Sequence, residues 1–96
     1  MARLIWTLQS AEDLENIYEY ISRDSIRYAR IHIIRIRDRA KILKKYPKSG
    51  RIVPEFGDET LRELLMGTYR IIYRIKTENL VEIITIHHSA KRLIFD

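Results

Sequence analysis

Several residue types and patterns are missing from this sequence of 96 residues, and each absence excludes a class of protein. There is no cysteine, which excludes disulfide frameworks and thiolate metal sites, and three histidines offer few ligands for a structural zinc. Apolar runs are only a few residues long, far short of a membrane span, and the first ten residues do not read as a secretory signal. We therefore expect a cytoplasmic protein that does not enter the membrane.

The signatures of cofactor enzymes are absent as well. The sequence contains no phosphate-binding loop, dinucleotide glycine fingerprint, nucleophile elbow or zinc-ligand spacing. Its carboxylates show no spacing typical of a two-metal site, so we expect neither a cofactor nor a metal. A chain of 96 residues that is 46% hydrophobic is expected to form one domain over residues 1–96.

The positive charge is concentrated in one part of the chain. The net charge is +5, yet residues 22–51 carry eleven lysines and arginines against two aspartates, a net +9. Residues 1–21 have a net charge of −3 and residues 52–96 a net charge of −1. Such a basic segment indicates an acidic or polyanionic partner, although a solvated helix face remains an equally simple interpretation.

The basic segment coincides with the second helix of a predicted helical hairpin. A strand at residues 3–7 precedes an acidic helix that Ser10 and Asp13 open as a capping box. Asp24 or Ser25 caps the second helix, which Pro47 ends. Its apolar residues recur at helical spacing and are expected to pack on the first helix: Ile26, Ala29, Ile33, Ile36, Ala40 and Leu43. Its outer face forms a cationic stripe: Arg23, Arg27, Arg30, Arg37, Lys41 and Lys44.

The second half of the chain predicts a β-meander. Residues 51–59 resemble a loop, and the apolar-rich runs 60–66, 69–76 and 80–88 are joined by connections short enough for antiparallel neighbours. We therefore predict an α+β fold of order β-α-α-β-β-β. The helical hairpin should pack on one face of a small, twisted antiparallel sheet, with the other face open.

Alternation along residues 69–76 predicts that this open face is basic. Tyr69, Ile71, Tyr73 and Ile75 fall on one side, which we expect to face the helices. The other side then presents its cations to solvent: Arg70, Arg74 and Lys76. A guanidinium on a rigid strand can clamp a phosphate or carboxylate, whereas the plainer interpretation pairs Arg70 with Glu63 or Glu82.

Two histidines end the last predicted strand. Because adjacent strand residues face opposite ways, only one of His87 and His88 can share a face with Arg70. A histidine beside an arginine could act as general acid or base in phosphodiester cleavage, while a half-buried structural histidine is the simpler alternative. The apolar Ile94 and Phe95 are expected to dock on the body or on another chain.

The order of these elements and five short stretches resemble the RelE/ParE superfamily of toxins from toxin–antitoxin pairs. The stretches run in sequence over nearly the whole chain: AEDLENIYEYI, P-x-x-GR-x-VPE at 47–55, RELL at 62–65, YRIIYRI at 69–75 and VEIITIHHSAKRL at 81–93. The resemblance implies a toxin of a plasmid- or chromosome-stabilisation system, neutralised by a small antitoxin with an acidic or amphipathic segment. It leaves open a homodimer or a heterotetramer with the antitoxin.

The superfamily contains two kinds of toxin. RelE-like members cut mRNA on the ribosome without a metal, and by resemblance Arg70 would contact the scissile phosphate while His87 or His88 transfers protons. ParE-like members inhibit DNA gyrase and have no recognised catalytic set. Residues 52–73 contain no lysine, and the tail has Phe95 where a catalytic tyrosine is expected, which argues against RNA cleavage. The long helical hairpin, the DL-x-x-I pattern at residues 13–17 and VEII before His87 resemble the ParE side more closely.

We therefore expect a gyrase-directed toxin, with a ribosome-dependent endoribonuclease and a non-toxic nucleic-acid-binding module as alternatives. Binding of the antitoxin is expected to use the basic residues of the second helix, the strand and the tail: Arg27, Arg30, Arg37, Lys41, Arg70, Arg74 and Arg92.

Overall fold

The structure is a computed structural model that describes residues 1–89 and Leu93. It confirms the predicted α+β class, with a helical hairpin packed on one face of a five-stranded sheet. Two short 3₁₀ turns, Ile42–Lys44 and Pro47–Ser49, connect the hairpin to the sheet. The strands are β1 (Arg3–Trp6), β2 (Arg51–Ile52), β3 (Leu61–Met66), β4 (Tyr69–Thr77) and β5 (Leu80–His88), and the helices are α1 (Leu8–Ser22) and α2 (Ile26–Lys41).

The sheet has the strand order β1-β5-β4-β3-β2 and differs in two details from the predicted one. Strands β3, β4 and β5 form the expected antiparallel meander. However, β1 pairs in parallel with β5, so the prediction of a wholly antiparallel sheet was wrong at this edge. The two-residue strand β2, predicted as loop, pairs with Arg62 and Glu63 of β3. The first pairing joins segments at opposite ends of the chain, and the second spans the connection 53–60, which carries no clear hairpin signal.

The helix ends follow from their capping groups. Helix α1 begins at Leu8, earlier than predicted, because the extended Thr7 caps it by accepting the Ser10 N–H at 3.1 Å. The predicted capping box of Ser10 and Asp13 is therefore wrong, since the Asp13 carboxylate instead accepts the N–H of Ile86 in β5 at 3.0 Å. Ser25 caps α2 as predicted. Helix α2 ends before Pro47, at Lys41, and continues into a 3₁₀ turn.

The main core lies between the hairpin and the sheet. In β4, Ile71 and Tyr73 are fully buried, and Tyr69 and Ile75 pack against the same cluster, which confirms the predicted alternation. The predicted apolar side of α2 also enters this core, through Ile36, Ala40 and the partly buried Ile33, whereas Ile26 is exposed. The buried members are Ala2, Leu14, Ile17, Ile36, Ala40, Leu43, Leu64, Ile71, Tyr73, Val81, Ile83 and Ile86.

The opposite face of the sheet is partly covered rather than open. A second, smaller apolar cluster there joins the 51–59 segment to the sheet and to the tail, through Val53, Leu61, Ile72 and Leu93. Docking of the tail was predicted for Ile94 and Phe95, which lie outside the described residues. Within residues 1–89 and Leu93, no helix has the length and apolar character needed to cross a membrane.

Candidate functional site

Arg70, the leading candidate from the sequence, lies in an ion-pair network on the face away from the helices. Strand β4 places it beside β3, where its Nε donates to Oε1 of Glu63 at 2.7 Å. Its two terminal nitrogens donate to the two carboxylate oxygens of Glu55, at 2.7 and 2.8 Å. Nη2 also contacts Glu63. The whole fork of the guanidinium is thus engaged by two carboxylates.

Glu63 lies at the centre of this network. Its side chain is inaccessible to solvent, and it also accepts from Nε of Arg51 at 2.5 Å. Two arginines and two glutamates therefore form a neutral group. The hydrogen bond from Arg70 lowers the pKa of Glu55 to about 2, and hydrogen bonding to Glu55 raises the pKa of Arg70.

The expectation that Arg70 projects from an open basic face is wrong, because the residue is only 8% exposed. The fold brings Glu55 from the 51–59 segment over the guanidinium, and Glu63 approaches it from the neighbouring strand. A buried guanidinium requires such partners, because its desolvation would otherwise be very costly. Pairing with Glu63 was one of the alternatives visible in the sequence, whereas Glu55 was not identified as a partner.

Tyr73 and Gly50 hold the start of the 51–59 segment in place. The hydroxyl of Tyr73 donates to the Pro47 carbonyl at 2.6 Å and accepts the Gly50 N–H at 3.0 Å. A side chain at Gly50 would place its Cβ 2.5 Å from the carbonyl oxygen of Glu63 and 2.6 Å from the Tyr73 hydroxyl. Sequence reasoning missed both roles, although the Pro-x-x-Gly-Arg stretch was a visible signal for the glycine.

Arg74 and Lys76 match the predicted exposed face better than Arg70 does. Arg74 is partly exposed and donates to Asp58 Oδ2 at 3.1 Å and to Thr60 Oγ1 at 2.8 Å. Asp58 also accepts the N–H of Thr60 at 2.9 Å, so these contacts fix the end of the 51–59 segment beside β4. Lys76 is exposed near the end of β4. Arg74 and Lys76 are therefore accessible to a partner, whereas Arg70 is buried.

The two strand-end histidines have different partners across the β4–β5 ladder. His87 lies opposite Arg70 in the β4–β5 ladder, while His88 lies opposite Tyr69. The ring of His88 meets the Tyr69 ring edge-on with centroids 5.4 Å apart, and Tyr69 meets His32 of α2 at 5.5 Å. Burial, reinforced by the positive charge of Arg35, lowers the pKa of His32. His88 therefore belongs to a row of aromatic rings with Tyr69 and His32.

The cations of α2 are on the surface, in contrast to Arg70. Arg27, Arg30, Arg37 and Lys41 are all exposed, as their predicted position on the outer face requires. Within residues 1–89 and Leu93, the one ion pair among these four is between Lys41 and Asp38, at 3.2 Å. Arg92, the remaining predicted partner-binding residue, lies outside the described residues.

A groove beside these cations was not predicted. It has a volume of about 430 Å³ and lies between β1, α1 and the C-terminal half of α2. Leu4 and Trp6 of β1 and two residues of α1 form its apolar part, and three cations line its other wall. The recurrence of the cations at one-turn spacing was visible in the sequence, but their position opposite β1 depends on the fold. The lining residues are Leu4, Trp6, Ala11, Leu14, Arg37, Lys41 and Lys44.

Comparison with known families and structures agrees with this architecture. The profile of the family described as the ParE toxin of the type II toxin–antitoxin system parDE matches residues 4–93. The chain belongs to the ParE toxin family. The wider assignment to the RelE/ParE superfamily, made above by resemblance, is thereby confirmed.

Individual relatives of this ParE-family chain carry names from both sides of the superfamily. It is 33% identical to Toxin RelE2 of Caulobacter vibrioides over 91 residues, which cover 95% of this chain and 99% of that protein. The fold is similar to that in the chromosomal ParDE system of P. aeruginosa, with a TM-score of 0.77, 24% identity and coverage of 92% and 96% of the two chains. A YoeB/ParE toxin from Agrobacterium tumefaciens gives a TM-score of 0.58 at 22% identity, covering 92% of this chain and 98% of that one.

Proposed function

We propose that this ParE-family toxin acts in the cytoplasm by binding and inhibiting DNA gyrase, without a catalytic step of its own, and that a cognate antitoxin neutralises it. The observation that carries the proposal is the state of Arg70, whose guanidinium is buried and engaged by Glu55 and Glu63. The ribonuclease alternative requires this residue to contact the scissile phosphate.

Cleavage of RNA by this site would require free, positively charged donors at the scissile phosphate. Stabilisation of a developing negative charge depends on donors that are already aimed at it and not committed elsewhere. The network of Arg51, Arg70, Glu55 and Glu63 has no net charge, and an approaching phosphate would have to displace a bidentate carboxylate. These features favour inhibition by binding.

The antitoxin is proposed to bind the exposed cations, with Arg70 acting indirectly. An acidic segment that orders on binding would meet Arg27, Arg30, Arg37 and Lys41 along α2, and Arg74 and Arg92 are proposed to extend that contact. Arg70 is proposed to keep the 51–59 segment on the sheet. Its removal is then expected to reduce antitoxin binding only by reducing the folded fraction, whereas reversal of Arg74 acts by direct charge repulsion.

The test compares the two targets with one preparation of toxin. Purified gyrase is assayed for supercoiling of relaxed plasmid, and a translating extract is assayed by primer extension for new mRNA 5′ ends. The proposal predicts dose-dependent loss of supercoiling that added antitoxin restores, and an unchanged pattern of 5′ ends.

A folded Arg70→Lys variant serves as the control for the ribonuclease alternative. Lysine keeps the positive charge but lacks the planar fork, so it would impair a phosphate clamp. Codon-phased mRNA cuts by the wild type that disappear in the folded variant would contradict the proposal and assign Arg70 to catalysis. Salt-sensitive binding of free DNA or RNA, with neither gyrase inhibition nor cleavage, would instead favour a nucleic-acid-binding module.

A further inference from the structure

A second groove lies where the chain leaves α2, and the functions considered above do not use it. It has a volume of about 580 Å³. Residues 45–49, which include the second 3₁₀ turn, form one wall, and Ile75 of β4 and Glu78 of the following turn form the other. Its apolar surface comes mainly from Tyr46, Pro47 and Ile75. We call it the Tyr46 groove.

Tyr46 presents an exposed ring on a main chain that the fold holds in place. Its N–H donates to the Ile42 carbonyl at 2.8 Å, and its carbonyl accepts the Ser49 N–H at 3.0 Å. Pro47 has no N–H, and its carbonyl accepts the Tyr73 hydroxyl at 2.6 Å. These two residues therefore have no N–H group left to pair with the backbone of an incoming peptide, whereas the face of the ring remains accessible.

Exposed lysines accompany this ring. Lys45 and Lys48 line the groove, and Nζ of Lys45 lies 5.6 Å from the centroid of the Tyr46 ring. Lys44 precedes them in the chain. Within residues 1–89 and Leu93, none of the three lysines forms an ion pair. Of the described residues that line the groove, Glu78 alone carries a carboxylate, so positive charge prevails there.

We infer that the Tyr46 groove binds single-stranded DNA, with a base stacked on Tyr46 and the neighbouring phosphates held by Lys45 and Lys48. Stacking on an aromatic ring and contact between ammonium and phosphate need no main-chain pairing, which matches the groups that the groove presents. A base within a duplex is already stacked and paired, so it would first have to leave the helix to reach the ring. An acidic peptide fits less well, because its carboxylates would meet the lysines but leave the ring and the apolar wall uncovered.

The inference rests on the proposed function in taking DNA, the substrate of gyrase, as the source of the strand. The probe is a fluorescein-labelled decamer of oligothymidylate, titrated with the full chain while fluorescence anisotropy is recorded. We expect saturable binding that weakens as salt rises. Each phosphate neutralised on a single strand contributes about −0.7 to the slope of log affinity against log salt, so contacts by two lysines predict a slope of about −1.4 or steeper.

Variants of the ring test stacking. Tyr46→Ala is expected to weaken binding by about tenfold, because it removes the stacking surface. Tyr46→Phe keeps the ring and should bind as the wild type does. Tyr20→Ala is the matched control, since Tyr20 is also exposed and has Arg23 5.9 Å from its ring centroid, but lies near the end of α1. It should leave the affinity unchanged, and thermal unfolding of each variant verifies that it is folded.

Charge variants separate the groove from general attraction to a basic chain. Lys45→Gln and Lys48→Gln should each make the salt slope shallower by about 0.7, and Glu78→Gln should tighten binding. Arg23→Gln removes the same charge at the other end of α2, a helix of 16 residues and therefore about 24 Å long, and should change neither quantity. An equal loss in Arg23→Gln and in the two lysine variants would overturn the inference.

Four further outcomes would also overturn it. They are no saturable change in anisotropy, a loss in Tyr46→Phe equal to that in Tyr46→Ala, displacement of the DNA by an equal concentration of oligoglutamate, and binding of a uridylate RNA decamer about tenfold tighter than the DNA. The gyrase assay is read separately. If DNA binds in the groove but gyrase is not inhibited, the groove stands and the proposed function falls; if gyrase is inhibited but DNA does not bind, the reverse holds.

Discussion

The arginines of the sheet and those of α2 carry the same charge but differ in what surrounds them. Arg70 and Arg51 contact the buried Glu63, and Arg70 also contacts Glu55, so these charges are neutralised within the fold. Arg30 and Arg37 on α2 are exposed, without an ion pair among residues 1–89 and Leu93. Availability to a partner therefore depends on the carboxylates that the fold brings near each cation, and not on the number of cations.

The strongest test of this difference is removal of the buried cation. Arg70→Ala leaves Glu63 with only Arg51 as an ionic partner, and loss of one member of a buried pair typically destabilises a protein by about 3 kcal/mol or more. We expect that loss in the free energy of unfolding measured by urea denaturation. Arg37→Ala, on the exposed face, should change it by less than about 0.5 kcal/mol. Similar losses of unfolding free energy for the two variants would contradict this difference between the arginines of the sheet and those of α2.

A substitution of Gly50, which precedes the segment carrying Glu55, should have the next largest effect on stability. Gly50→Ala places a Cβ against the Glu63 carbonyl and the Tyr73 ring, where nothing can give way without moving the sheet or the segment. Overpacking of this kind typically costs about 2 kcal/mol. Thermal or urea unfolding would measure it, with the exposed neighbour Ser49→Ala as the control that should be nearly neutral. Wild-type stability for Gly50→Ala would show that the segment is looser than described.

A smaller loss is expected for Tyr73→Phe. The change removes a hydroxyl that donates to the Pro47 carbonyl and accepts the Gly50 N–H, and leaves both groups without this partner. The expected destabilisation is about 1 to 2 kcal/mol. Hydrogen exchange of the Gly50 amide would locate the effect, because that amide should exchange faster while the amides of the central strand β4 remain protected. Unchanged exchange at Gly50 would rule out this anchoring role.

The smallest effect is a dependence of stability on pH that arises from Glu55 in the network. Because the pKa of Glu55 is lowered from 4.5 to about 2 in the folded chain, its stabilisation is present above pH 4.5 and is lost as the pH falls from there towards 2. Glu55→Gln should flatten this part of the stability profile. Arg37→Gln should leave the slope as in the wild type. A Glu55→Gln profile with the wild-type slope would assign the acid sensitivity to other groups.

The parts of the fold that could be predicted are those with local or periodic signals. The spacing of Ala29, Ile36 and Ala40 predicted the packed side of α2, and the alternation through Ile71 and Tyr73 predicted which side of β4 enters the core. The short turns between β3, β4 and β5 predicted the meander. Each of these features depends on residues that are close together in the sequence.

The features that were missed depend on distant residues. The parallel pairing of β1 with β5 and the pairing of β2 with β3 leave no turn signal, and Thr7 could be recognised as the helix cap only once its place beside β5 was known. The same limit explains the candidate site. Alternation placed Arg70 on the correct side of β4, but its burial depends on Glu55, which reaches it from a segment predicted as a simple loop.

We propose that Arg70 maintains the fold while Arg37 binds the antitoxin, and one paired measurement tests this most directly. The free energy of unfolding and the affinity for the cognate antitoxin are measured for Arg70→Gln and Arg37→Gln. We predict that Arg70→Gln loses about 3 kcal/mol of stability while its folded fraction keeps near wild-type affinity. Arg37→Gln should stay within about 0.5 kcal/mol in stability and bind about tenfold more weakly. A stable Arg70→Gln protein that loses antitoxin binding, beside an Arg37→Gln protein that binds normally, would contradict the claim.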